Sequence, residues 1–230
     1  MGRGRRRLSA FSPLPRDFFD RPAPEVAPAL LGCVLEHETP EGVVAVELTE
    51  VEAYAGKLDP ASHAYRGMTA RNAVMFGPPG FAYVYFTYGM HFCVNVVCLP
   101  PGTANGVLLR AGRVIAGEDL ARRRRTARRL APHEEAPLRV LPARELARGP
   151  ARLCQALAID RAQNGLDFCD PASPLRLNRP CTDGASAGAA RTISAGPRVG
   201  VSAGADTNWR FWVADEPSVS SYRPHKARSR

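Results

Sequence analysis

Val43-Val-Ala-Val-Glu-Leu-Thr-Glu50-Val-Glu52-Ala-Tyr54 alternates apolar and polar side chains with the period of a strand. Val44, Val46 and Leu48 share one parity, and continuing the count puts Glu50, Glu52 and Tyr54 on the same parity. The stretch is therefore expected to run from the core into a polar pocket. An inward-turned carboxylate is costly unless it is paired or used. Glu50 and Glu52 are thus either salt-bridged to some of the chain's many arginines or chemically employed.

Working outward, Ala29-Leu-Leu-Gly-Cys-Val-Leu reads as a helix end running into a strand, and residues 1–25 as a basic, Pro-rich arm. Residues 81–99 are aromatic and β-branched, broken only by Gly89, and predict a β-hairpin with Tyr88-Gly89-Met90 at its tip. Val107-Leu-Leu-Arg-Ala predicts another strand, and residues 117–130 a helix opened by Glu118 and Asp119. Gly149-Pro150 opens a further helix to Ile159. Residues 170–197 are expected as a long surface loop, with Arg198-Val-Gly-Val and Trp209-Arg-Phe-Trp-Val closing the sheet. The fold class expected is mixed α/β (α+β): a single compact domain over residues 26–222, with a curved, mainly antiparallel sheet, flanking helices and a protruding hairpin. Residues 223–230 form a basic tail.

A chain of 230 residues with 45% apolar side chains can bury one sizeable core and is short for two. There are 31 basic against 22 acidic residues, for a formal charge of +9, and the only lysines are Lys57 and Lys226. Guanidinium groups grip phosphate bidentately and release its counterions, so nucleic acid is one reading of this charge; coding bias toward Ala and Arg is the other. Cys33, Cys93, Cys98, Cys154, Cys169 and Cys181 form no C-x-x-C pair, and no metal site is expected. The basic start leads into Phe11-Ser-Pro-Leu-Pro instead of an apolar run, and no stretch is long enough for a bilayer. A reducing cytoplasm, no membrane partner and a monomer are expected.

Dinucleotide, P-loop, zinc-protease and nucleophile-elbow motifs are all missing. No cofactor is therefore expected, and chemistry must come from acid and base groups. The densest cluster is Glu50, Glu52 and Tyr54, with Asp59 and His63 close behind. A second cluster is aromatic: Tyr83, Tyr85 and Tyr88 around the hairpin turn suit base stacking or insertion into a duplex, or else form an ordinary cross-strand ladder. His63 and His91 have no partner at metal-ligand spacing. The run Arg122–Arg129 reads as a solvated helix face.

Several motifs together carry a resemblance. Leu30-Leu31-Gly32, Glu50-Val-Glu52-Ala-Tyr54, His63-Ala-Tyr-Arg-Gly67, Thr69-Ala-Arg-Asn-Ala-Val-Met-Phe76, Tyr83-Val-Tyr85-Phe-Thr-Tyr88-Gly-Met-His-Phe-Cys-Val-Asn95, Val107-Leu-Leu-Arg110-Ala, Gly149-Pro-Ala-Arg-Leu-Cys-Gln-Ala-Leu and Arg198-Val-Gly200 occur in this order. The chain resembles the 3-methyladenine (alkylpurine) DNA glycosylases of the human alkyladenine DNA glycosylase type over most of residues 26–222. The arm and the segments 130–148 and 170–195 match poorly.

The resemblance implies that double-stranded DNA containing a damaged purine is the partner. It implies Glu52 as the base that activates water, with Arg110 and the backbone near Val199 fixing that water. Tyr54, His63 and Tyr85 would sandwich the extruded base, Tyr88 would fill the gap left in the duplex, and Asn95 would crowd the 2-amino group of normal guanine. A lyase needs an amine nucleophile, and Lys57 is the only lysine near these residues, so a monofunctional enzyme is expected. The rival reading is a non-catalytic nucleic-acid-binding β module, which has no use for Glu52. A helix-hairpin-helix glycosylase would need an L-P-G-V-G-like hairpin, and a nucleoside hydrolase clustered aspartates; the sequence has neither.

Overall fold

The computed structural model describes residues 12–87, 89–127, 141–180 and 191–224. Its spine is β2 (Gly42–Tyr54), which the alternation of 43–54 predicts. Along one edge β2 pairs with β5 (Asn105–Ala116) over nearly its whole length. On the other edge β1 (Val34–Thr39) covers residues 42–47, and β8 (Arg210–Val213) takes over at residues 50–52. β3 (Ala82–Thr87) and β4 (His91–Cys98) form the expected hairpin. β6 (Leu175–Asn178) and β7 (Ile193–Gly196) complete a curled antiparallel sheet of order β3-β4-β5-β2-β1-β6, with β8 on β2 and β7 on β8.

The alternation breaks where the pairing partner changes. Leu48 lies opposite Gly112 and Glu50 opposite Ala111, so Thr49 is an extra residue on β2; Val51 then lies opposite Leu109, so Arg110 is an extra residue on β5. Two successive bulges restore the register. Their effect is a change of parity: Val44, Val46 and Leu48 belong to the core, and so do Val51 and Ala53. The expectation that Glu50, Glu52 and Tyr54 continue the apolar face is thereby corrected. A one-residue slip moves every following side chain to the opposite face, and here it takes two carboxylates and a phenol off the core face. Gly112 belongs to this device, because a Cβ there would meet Val46 Cγ1 at 2.3 Å and Glu47 O at 2.4 Å.

The core side of the sheet is covered by α2 (Ala23–Ala29) and α4 (Pro150–Leu157), whose Val26, Ala27, Leu153 and Leu157 are wholly buried. α1 (Arg16–Phe19) also contributes: Leu14, Phe19 and Ala23, within the stretch expected as an arm, all lie in the core. Two further expectations need correction. The supposed loop 170–197 contains β6 and β7, and Arg198-Val-Gly-Val is a turn that returns over the sheet instead of a strand.

α3 (Glu118–Ala127) carries the arginine run, and this is no free solvated face. Arg122 binds Glu118 and the Leu141 carbonyl, Arg124 binds Glu41 and Thr39, and Arg125 binds Gln155. The guanidinium groups thus tie α3 to the β1–β2 turn and to α4. Arg128 and Arg129 lie outside the described residues.

Candidate active site

One row of residues crosses five strands in register: Tyr83 on β3, Asn95 on β4, Leu108 on β5, Glu52 on β2 and Arg210 on β8. Side chains opposite one another on neighbouring strands share a face, so this row lays an aromatic, an amide, a leucine, a carboxylate and a cation along one face. A cavity of about 430 Å³ lies over it, a size ordinary for a small organic ligand. Tyr54, His63, Tyr85, Asn95, Arg110 and Val199, six of the residues singled out from the sequence, all line it, with Met75 and Leu108 on its floor. Tyr88, expected at the hairpin tip, lies outside the described residues.

Glu52 is wholly buried and sits immediately behind this lining. Its Oε2 accepts the Tyr54 hydroxyl at 2.9 Å and Arg110 Nη1 at 3.3 Å, and its Oε1 accepts the Val199 backbone N–H at 2.7 Å. A carboxylate offers about four acceptor positions, so one on Oε1 remains. Arg110 and Val199 therefore grip the carboxylate itself. Burial, and then the Glu52 charge, hold the Tyr54 hydroxyl well above its usual range, so it stays a neutral donor. Burial alone would lower Arg110, but Glu52 and Glu50 outweigh it and raise it further.

Glu50 is handled differently. Arg110 Nε reaches it at 3.1 Å and Arg210 Nε at 2.6 Å, while Ser220 donates both its backbone N–H and its hydroxyl. Burial pushes Glu50 up, but Arg110 and Arg210 together bring it below the usual carboxylate value.

The aromatic wall is built from β3 and the loop after β2. Tyr83 and Tyr85, two apart on the strand, stack at 5.4 Å, and His63 meets Tyr85 edge-on at 4.5 Å. The Tyr83 hydroxyl and His63 Nδ1 are 3.2 Å apart. Partial burial, and then the nearby Arg71, lower His63 from its ordinary 6.5, which favours the neutral ring. Asn72, buried in the same loop, donates to the His63 and Gly67 carbonyls and accepts from Thr69, so it holds the histidine in place. Asn95 donates to the Tyr83 carbonyl.

Sequence reading misses a second charged knot. Arg198, wholly buried, makes a two-pronged pair with Asp59 at 2.5 and 2.9 Å and donates to the Ala53 carbonyl beside Glu52. Its guanidinium also lies 4.7 Å from the Tyr54 ring and 5.3 Å from the Trp209 ring. It thereby anchors the turn that presents the Val199 N–H. The sequence signals are Asp59 following the Glu50–Tyr54 cluster and Arg198 heading the motif Arg198-Val-Gly200, with nothing local to join them. No group of three His, Cys, Asp or Glu able to hold a metal occurs among the described residues.

Residues 17–217 match the family model described as methylpurine-DNA glycosylase. A Streptomyces avermitilis protein named "Putative 3-methyladenine DNA glycosylase" is 51% identical over 223 residues, covering 95% of this chain and 96% of its own length. Proteins of the same name from Leifsonia xyli subsp. xyli and Burkholderia lata are 50% and 46% identical, covering 92% and 90% of this chain and 93% and 90% of their own lengths. The chain belongs to the methylpurine-DNA glycosylase family, whose members are DNA-repair hydrolases acting on alkylated bases.

Proposed function

We propose that this protein removes damaged purines from duplex DNA by hydrolysing the N-glycosidic bond with a water activated by Glu52. The observation that carries the reading is the row Tyr83-Asn95-Leu108-Glu52, which sets a buried carboxylate beside an aromatic slot. A purine stacked in a duplex cannot reach such a cavity. It must be flipped out at a cost of about a few kcal/mol, which is least where a lesion has weakened stacking or pairing.

The flipped base stacks between Tyr54, His63 and Tyr85, and Tyr88 fills the gap in the duplex. The C1′–N bond then breaks with its electron pair leaving on the base. The Glu52 carboxylate stabilises the sugar cation that develops, and takes the proton from the water whose oxygen adds to C1′. The free acceptor position on Oε1 supports this role. Glu52 is sealed behind Val199, and that residue precedes Gly200, whose φ is +71° and whose Cβ position is open space. Withdrawal of the Val199 N–H on this turn would open Oε1 to a water from the cavity. Asn95 beside the slot disfavours the 2-amino group of guanine.

Lys57 is exposed on the turn Gly56–Leu58 and is no part of the cavity lining. The enzyme accordingly leaves an intact abasic site, and borohydride is expected to trap no covalent adduct. Duplexes carrying 3-methyladenine, 7-methylguanine, hypoxanthine or ethenoadenine, cleaved with alkali after incubation, test the reading. Wild-type protein is expected to release at least one of these bases, whereas Glu52→Gln binds the duplexes and releases it at least about 10²-fold more slowly. Release by Glu52→Gln at the wild-type rate would sink the proposal.

A further inference from the structure

Behind the cavity, buried charge cancels three for three: Glu50, Glu52 and Asp59 against Arg110, Arg210 and Arg198, of which only Arg110 lines it. A further cation stands beside the aromatic wall, outside this set. Arg71, exposed on the loop before β3, donates to the Phe86 carbonyl at 3.0 Å and places its guanidinium 5.9 Å from the centre of the Tyr85 ring. Among the described residues no carboxylate pairs with it. Tyr54, another tyrosine of the lining, already carries the Arg198 guanidinium at 4.7 Å, and Arg198 is wholly buried outside the cavity lining.

A tyrosine face attracts cations through its quadrupole. A ring with a guanidinium already near it offers less to a second cation, because the two like charges repel. The Arg198 charge is offset by Asp59 at hydrogen-bond distance, so its effect on the slot is small; the Arg71 charge is offset by nothing comparable. Purines alkylated at N3 or N7 are cationic within DNA, whereas hypoxanthine and ethenoadenine are neutral. The two classes therefore feel Arg71 differently.

We propose that Arg71 is a specificity-determining residue whose cation, seated against Tyr85, biases the slot against positively charged purines and toward neutral ones. This rests on the glycosylase reading above. The neutral state favoured for His63 fits the same field, since Arg71 is one of its causes.

The test is a ratio: the single-turnover release rate of 7-methylguanine over that of hypoxanthine, in duplexes of one sequence at low salt. Arg71→Gln, at an exposed position, is expected to raise this ratio about threefold, and Arg71→Lys, which keeps the charge, to leave it near the wild-type value. The Gln effect shrinks as salt screens the exposed charge. A residue that only grips phosphate would slow both lesions equally, and an unchanged ratio in Arg71→Gln overturns the inference. A raised ratio in both variants also overturns it, since shape instead of charge would then be responsible. Failure of the wild-type protein to release either base would instead bring down the glycosylase reading, and this inference with it.

Discussion

Glu50 and Glu52 stand two residues apart on β2, both wholly buried and both in contact with Arg110, yet their surroundings differ in kind. The Glu50 side carries two guanidinium groups and both donors of Ser220. That set stabilises the ionised form so strongly that the carboxyl is held below its usual value. The Glu52 side carries one guanidinium, one phenol and one backbone N–H, with an acceptor position left over. Charge compensation is complete on the first side and partial on the second. The second arrangement suits the base proposed for turnover; the first suits a structural clamp joining β5, β8 and the 218–220 segment.

The largest expected effect comes from crowding the device that puts both carboxylates off the core face. Gly112→Val would place a Cβ 2.3 Å from Val46 Cγ1 and 2.4 Å from Glu47 O, a clash with backbone as well as side chain, so β2 and β5 must part at the bulge. The loss is expected to approach a domain's whole stability of roughly 5–15 kcal/mol. Little folded protein should be recovered, as judged by near-UV circular dichroism. A folded variant with an unchanged urea midpoint would show that the close approach at Gly112 does not hold the bulge.

The next two substitutions separate the carboxylates. Glu52→Gln should lower single-turnover base release by about 10²–10⁴-fold, the usual contribution of a positioned base, with a smaller change in the denaturant midpoint. Glu50→Gln should reverse the balance. Breaking a buried ion pair from one side costs about 3–5 kcal/mol, read as a lower urea midpoint, while the molecules that stay folded keep most of their base-releasing activity. Equal effects of the two substitutions on both readouts would erase the distinction between clamp and base.

The contrast also marks what sequence can convey. Alternation over 43–54 identifies a strand, because side-chain period follows backbone geometry. It is blind to a bulge, since an extra residue leaves the local composition unchanged; hence Glu50 and Glu52 were expected to continue the apolar face. Four-residue strands such as β6 and β7 are too short to show a period among the Pro, Gly and Ser of 170–197. Arg198 reads as part of a strand because valines follow it, and its partner Asp59 lies 139 residues earlier, a separation that no local pattern bridges. The aromatic and carboxylate clusters are legible because each is compact in sequence, within 50–63 and 81–95, and the curled sheet brings the two compact clusters to one cavity.

The smallest effect supplies a pH window in which the two carboxylates can be compared without disturbing the clamp. His37, buried on β1 away from the cavity, lies 2.6 Å through Nδ1 from the Leu157 carbonyl. Burial lowers it from its ordinary 6.5, and Arg124 and Arg176 add to this, against the opposing hydrogen bond to Leu157. Its folded value is thus below its unfolded one. Above pH 6.5 neither state binds the proton and the contribution to stability is complete. As pH falls below 6.5 the unfolded chain takes up a proton that the folded chain refuses, and stability declines by at most about 1.4 kcal/mol per pH unit from this group. Urea unfolding between pH 7 and 5 should show that slope, and His37→Asn, which keeps a donor toward Leu157 but cannot titrate, should flatten it. Glu50 stays ionised throughout, because its depressed value delays any loss until the pH falls below the ordinary carboxylate range. A change in base release per folded molecule within this window therefore belongs to the cavity side, where His63 lies, and not to the clamp.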